Sequence, residues 1–288
     1  MLRHRAPTLL LATLLLGAPV WAQEATPSSA PPAAPADPTE VDPAEPDFSV
    51  ITLPSTLRLP RHGVAFRLTH RFTRPLGDGD FGDLAGDFFG LDSSAAVGME
   101  LRFGLFRNTQ LGIYRTSDKT IEFFLQQALW QQASHPVGVA LQASLEGRDN
   151  FGEEKSPRVA LIVARKLGTR GALYAVPAWI GNVNLGPKRS GVDEDSFMLG
   201  LGARLRVGPG LYLVGEVSPR LTGYEPIRAD GRTSPALLSF AFEKQVGGHA
   251  FQINFSNAIG TTPAQVARAQ DGAVSGWFIG FNLSRKFY

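Results

Sequence analysis

Arginines and glutamates recur at alternate positions along much of this 288-residue chain. Arg67, Arg71, Glu100, Arg102, Glu122, Glu146, Arg158, Arg204, Arg206, Glu216, Arg220, Glu243 and Lys286 all fall on the polar side of a two-residue alternation, with Gln126, Gln252, Asn254 and Asn282. Residues two apart in a strand share a face, so these groups are expected on one surface. A water-filled passage lined by arginines favours anions. Arg67, Arg102, Arg204, Arg206 and Arg220, with Glu100 and Glu216, are therefore the candidates for setting selectivity. The same residues paired as Arg–Glu would instead fill and stiffen a narrow wall.

Other groups offer weaker chemistry. Asp78, Asp80 and Asp83, followed by Asp87 and Asp92, form a glycine-rich acidic stretch of the kind that suits a hard cation such as calcium. They lack the EF-hand spacing and its closing glutamate, so solvated loop acids are the expectation and no metal is assigned. Asp193-Glu194-Asp195 is a fainter version. His62, His135 and His249 fall at one end of the predicted strands; only His70 nears the other rim on the apolar face. A lipid-modifying enzyme would need a nucleophile beside such a base. No Ser/Asn motif accompanies His70, and the chain is expected not to be an enzyme. With no cysteine there are no disulfides and no thiolate metal sites. No cofactor is expected.

The elements that would position these residues are strands. Val97, Met99, Leu101, Phe103 and Leu105 alternate with Ala96, Gly98, Glu100, Arg102 and Gly104. The same split recurs over 137–146, 197–207 and 277–284. Runs of about ten residues with one apolar and one polar face match tilted strands that cross a membrane. Twelve are predicted, starting near His62, Ala95, Thr109, Thr120, Val137, Pro157, Ala172, Ser196, Leu211, Pro235, His249 and Ser275. Short connections alternate with long ones, except for the short Ser117–Lys119 turn. That order predicts an all-β, antiparallel, up-and-down transmembrane barrel of about twelve strands, with both termini in the periplasm. Aromatic belts are expected at the two membrane interfaces. One holds Phe66, Phe103, Trp130, Tyr174, Tyr212, Phe251 and Phe287; the other holds Phe72, Tyr114, Phe123, Trp179, Phe197, Phe255 and Trp277. The last strand, Trp277–Tyr288, is the expected signal for barrel assembly machinery, although Arg285 interrupts its apolar face and Tyr288 falls out of phase.

Ahead of the strands the composition changes twice. Residues 1–22 read as a secretory signal, with two arginines, an apolar run at 9–16 and small residues before Gln23. Residues 23–48 contain seven prolines, six carboxylates (Glu24, Asp37, Glu40, Asp42, Glu45, Asp47) and no Lys or Arg. Such a stretch cannot bury a core, so it reads as a disordered periplasmic arm, with 49–288 forming the barrel. The arm is expected to be a spacer with room for a periplasmic partner; docking inside a basic lumen as a plug is the alternative. Basic residues elsewhere form no contiguous patch, which argues against nucleic acid.

Phe88-Phe-Gly-Leu-Asp-Ser93, Gly247-Gly-His-Ala-Phe-Gln-Ile-Asn-Phe-Ser256 and Gly260-Thr-Thr-Pro-Ala-Gln265 resemble an uncharacterised family of bacterial outer-membrane β-barrels, a domain family of unknown function. The resemblance covers about His62 to the C-terminus. It implies an exported barrel in the outer membrane of a Gram-negative cell, surrounded by lipid, and supplies no catalytic residue. His249, within Gly-Gly-His, is the candidate contact for a periplasmic partner, although a hairpin turn explains the glycines as well. The functional expectation is a narrow or gated passive pore for small, anionic solutes. A non-conducting structural or partner-binding barrel is the alternative, and a lipid-modifying enzyme the third reading.

Overall fold

A computed structural model describes residues 42–186, 194–228, 231–269 and 276–287. Thirteen strands form one antiparallel sheet. They are β1 (Val64–Phe72), β2 (Ala95–Phe106), β3 (Thr109–Thr116), β4 (Ile121–Trp130), β5 (Gly138–Gly147), β6 (Glu153–Lys166), β7 (Gly171–Ile180), β8 (Ser196–Gly208), β9 (Leu211–Ser218), β10 (Arg220–Gly223), β11 (Leu237–Val246), β12 (His249–Ser256) and β13 (Phe278–Phe287). Sequence neighbours pair from β1 to β9 and from β11 to β13, β1 pairs with β13, and β9 pairs with both β8 and β11, so the sheet closes on itself. Closure removes the open edges that lipid does not tolerate.

β9 and β10 are one stave interrupted at Pro219, and both pair with β8. The barrel therefore has twelve staves, as the alternation predicts. β6 begins at Glu153, before the expected Pro157, because Lys155–Gly147 to Pro157–Leu145 extend its pairing with β5. The predicted start at Ser275 and the phase of Tyr288 lie outside the described residues, while Phe278–Phe287 of the expected assembly signal form β13.

The two faces divide as the period-two pattern requires. Leu141, Leu205, Phe242 and Phe251 stand exposed on the outer face, where lipid would cover them. Fifteen of the seventeen polar-face residues named above are buried, with Arg206 and Arg220 half-buried near the ends. The belts need one correction: Tyr114, Tyr174 and Tyr212 are buried on the inner face. Each hydroxyl has an interior partner there: Thr261 Oγ1 at 2.9 Å, Arg204 Nη1 at 3.4 Å and the Pro43 carbonyl at 2.9 Å. A phenol is accommodated inside where its hydroxyl finds a hydrogen-bond partner.

Three short helices sit in the longer connections: α1 (Phe81–Gly86), the single turn α2 (Arg148–Phe151) and α3 (Pro263–Arg268). Among the described residues no helix is long and apolar enough to cross a membrane.

The interior is filled. Residues 42–63 run inside the barrel instead of forming a free arm, and Ala44, Glu45, Asp47, Phe48, Val50 and Ile51 are all buried. The boundary at 48/49 thus has no structural counterpart: 42–48 and 49–63 form one plug, and the barrel wall starts at Val64. Residues 1–22 and 23–41 lie outside the described residues.

Candidate functional site

The plug turns back on itself at its tip. Val50 N–H donates to the Leu53 carbonyl at 2.8 Å and Ser55 N–H to the Phe48 carbonyl at 2.8 Å. The turn leaves Ile51, Thr52 and Leu53 amides pointing outward with no plug partner. Glu216 on β9 takes all three, accepting at 3.0, 2.9 and 3.1 Å, and also accepts from Thr52 Oγ1 at 2.6 Å. Successive amides converging on one carboxylate make a nest, which suits negative charge.

The plug's carbonyls meet the opposite sign. Ser49 accepts from Arg204 Nη2 at 2.8 Å, Val50 from Gln252 Nε2 at 2.8 Å, Ser55 from Gln126 Nε2 at 3.0 Å and Leu57 from Gln110 Nε2 at 3.1 Å. Arg67 donates to the Ile51 carbonyl and Lys286 to that of Pro46. The donors come from β1, β3, β4, β8, β12 and β13. A segment without regular structure must satisfy its backbone somewhere, and here the wall does it.

Ion pairs secure the wall itself. Arg204 Nη2 lies 2.9 Å from Glu243, both side chains fully buried. Arg102 pairs with Glu100 and stacks over Phe124 and Phe48, 4.6 and 5.2 Å from their centroids. Apolar contact completes the seat. Val50, Ile51 and Leu53 join Ala140, Ala160, Ile162, Val176 and Val214 in one buried cluster. Gly200 makes this possible: a Cβ there would stand 2.4 Å from Leu53 Cδ2.

Within the plug, Asp47 accepts from Ser284 Oγ at 2.9 Å, and Glu45 accepts from Thr56 N–H at 2.9 Å. Burial pushes the Glu45 carboxyl above its usual range; Lys166 and the Thr56 bonds pull it back only in part.

The long-loop end is closed separately. Residues 257–269 fold inward as a cap around α3. Thr262 caps the helix, accepting from Gln265 N–H at 3.2 Å, while Gln265 Oε1 accepts from Thr262 N–H at 3.2 Å, and Pro263 occupies the first turn. Arg220 on β10 donates to the Ala267 and Val266 carbonyls at 2.8 and 3.1 Å, neutralising the helix's C-terminal end. Arg268 pairs with Glu146. Plug tip and cap meet around a cavity of about 40 Å³ lined by Thr52, Pro54, Thr261 and Pro263, with Arg67, Arg102 and Arg158. A larger recess of about 360 Å³ lies beyond the cap, between Asp118, Arg148, Tyr224 and Arg268.

The selectivity candidates thus have other tasks in this state. Arg67, Arg204 and Glu216 grip the plug, Arg102 and Glu100 pair beneath it, and Arg220 holds the cap. Arg206 lies near the short-turn end, donating to the Gly208 carbonyl at 3.3 Å. Asp80 and Asp83 form the reciprocal capping box of α1, and the Asp78 carbonyl accepts from Arg74 at 2.8 Å. His70 is stacked on Phe281 at 4.9 Å and packed against Phe72 at 4.4 Å. His249 is exposed at the β11–β12 turn, paired with Val246 and Arg285. Sequence reasoning missed the plug's seat. Its signals were the Phe48-Ser-Val-Ile-Thr-Leu53 stretch ahead of the first strand and the inner-face Gly200.

A closed antiparallel barrel with an apolar exterior, a charged interior and an internal plug defines a membrane β-barrel class. Over residues 47–287 the chain matches the model described as "Membrane bound beta barrel domain (DUF5777)", and it belongs to that family. No curated protein matches it in sequence. Among solved structures, a NanC porin aligns over 78% of this chain and 99% of that one, with a TM-score of 0.50 at 8% identity, a likeness of fold alone. Outer membrane phospholipase A from Escherichia coli aligns over 80% and 93%, with a TM-score of 0.40 at 12% identity.

Proposed function

We propose that this protein is an outer-membrane passage for small anionic solutes, held closed by its own N-terminal segment. The short-turn end faces the periplasm in this reading, with both termini there. The supporting observation is how the plug is held. Polar side chains of the wall grip its main chain, and the plug is joined covalently to the barrel only at Val64. It can leave without breaking a strand pair. Once it leaves, the wall carries Arg67, Arg71, Arg102, Arg158, Arg204, Arg206, Arg220 and Lys286 against Glu100, Glu122, Glu146, Glu216 and Glu243. These eight basic residues outnumber the five acidic ones, which favours anions.

The absence of native cysteine allows a direct test. Leu53→Cys with Gly200→Cys places a single thiol pair where plug and wall touch. In a planar bilayer the oxidised protein should be silent. The reduced protein should show discrete anion-preferring steps, and Arg204→Glu added to it should weaken that preference. A folded barrel that stays silent after reduction points to the second reading, a non-conducting barrel whose arm and His249 serve a periplasmic partner. The buried ion pair Arg204–Glu243, which stiffens the wall, is what favours that alternative.

A further inference from the structure

We infer that Arg71 and Asn254 form a binding site for a small inorganic anion inside the barrel wall. Arg71 on β1 and Asn254 on β12 are both 0% exposed. They face the lumen in one cross-strand row, with a single residue between them: Asn254 pairs with Gly280, and Gly280 pairs with Arg71. That intervening residue has no side chain. The Arg71 side chain lies over it, its Cδ 2.8 Å and Nη1 2.9 Å from where a Cβ would stand. Gly280 therefore opens the row so that the guanidinium extends along it towards Asn254.

Among the described residues, most of the polar atoms gathered there have no hydrogen-bond partner. Arg71 Nε and Nη2 make no hydrogen bond, nor do Asn254 Nδ2 and Oδ1. Arg71 Nη1 has only contacts of 3.4 Å, to the His70 carbonyl and to Asn282 Oδ1. The amide of Asn282, turned over, accepts from Arg67 Nη2 at 2.8 Å instead, and the Arg71 contact is lost. Among the described residues, the titratable groups that act on Arg71 are Tyr114, Arg67 and Glu216, with its neighbour His70, stacked on Phe281 and supplying no negative charge. Tyr114 donates to Thr261, Arg67 is a like charge, and Glu216 is committed to the plug amides. A fully buried guanidinium with no carboxylate of its own calls for a counter-charge. Its free Nε–Nη2 edge is the fork that guanidinium groups present to anions, and Asn254 Nδ2 offers a donor from β12, on the other side of β13. A halide or small oxyanion fits this donor set. The site is formed with the plug in place, so it stands independently of whether the lumen conducts.

Bromide is the probe, because it scatters anomalously. Crystals of the full chain grown or soaked in bromide should show an anomalous peak beside Arg71 and Asn254. In detergent, replacing a large organic anion by bromide should raise the midpoint of heat-modifiable migration by about 3 °C. Arg71→Met and Asn254→Leu should each remove that rise. If Arg71→Met fails to fold, Asn254→Leu and the anomalous map still decide. Water density without an anomalous peak, or an equal rise in wild type and Asn254→Leu, overturns the site.

Discussion

The plug and the cap close the same lumen by opposite means. The cap carries its own instructions: Thr262, Pro263 and Gln265 specify a helix start within four residues, and the wall adds anchors such as Arg220 and Arg268. The plug has almost none. Its turn is held at Glu216, 165 residues away from Ile51, and its carbonyls are satisfied by six different strands. Local bonding makes the cap a folded object that docks. Borrowed bonding makes the plug a shape that exists only in its socket, and hence the part suited to leaving.

Substitutions on the plug side test that contrast most severely. Glu216→Ala strands three amides at the turn, and each buried donor left unpaired costs about 1–3 kcal/mol. Plug seating should weaken by about 3 kcal/mol or more, read as faster tryptic cleavage after Arg58 in the folded protein. Gly200→Ala comes next. The new methyl meets Leu53 Cδ2 at 2.4 Å, and overpacking of this kind costs about 1–3 kcal/mol. Cleavage after Arg58 should rise, less than for Glu216→Ala. Thr262→Ala removes one helix cap and should cost about 1 kcal/mol. Its effect should appear as faster amide exchange in α3, with protection of Arg58 unchanged; a loss of that protection would mean that cap and plug move as one.

The smallest effect is on pH. Docking raises the Glu45 carboxyl above its ordinary value, so the docked state binds the proton more tightly. Seating should therefore strengthen as pH falls from the raised docked value to the ordinary free one, and level off below it. Tryptic protection measured across that window should flatten in Glu45→Gln.

Much of the wall was legible because period two is a local signal. The alternation at 97–105 and 197–207, and the order of short and long connections, sufficed to predict twelve staves and the inward set from Arg67 to Lys286. Parity tells which side a residue faces but not what stands opposite it. Arg204 and Glu216 were correctly turned inward and then read as lining an open lumen, since their partners are backbone atoms of a segment remote in sequence. The three tyrosines were misplaced for a related reason. An aromatic near a strand end suits a membrane interface, but Thr261, Arg204 and Pro43 offered their hydroxyls interior partners. The low-complexity look of 23–48 hid the seated stretch 42–48, whose prolines and acids serve a socket.

The plug's anchors have a consequence for biogenesis. They lie on β1, β3, β4, β8, β9, β12 and β13, including both strands of the closing seam. No partly built sheet presents them all. The segment that precedes every strand in sequence therefore has its full set of anchors only where the last strand is paired with the first. A seam shifted in register would move Lys286 and Ser284 relative to Arg67 and leave the plug unseated. A full seat for the plug therefore requires a seam in its native register.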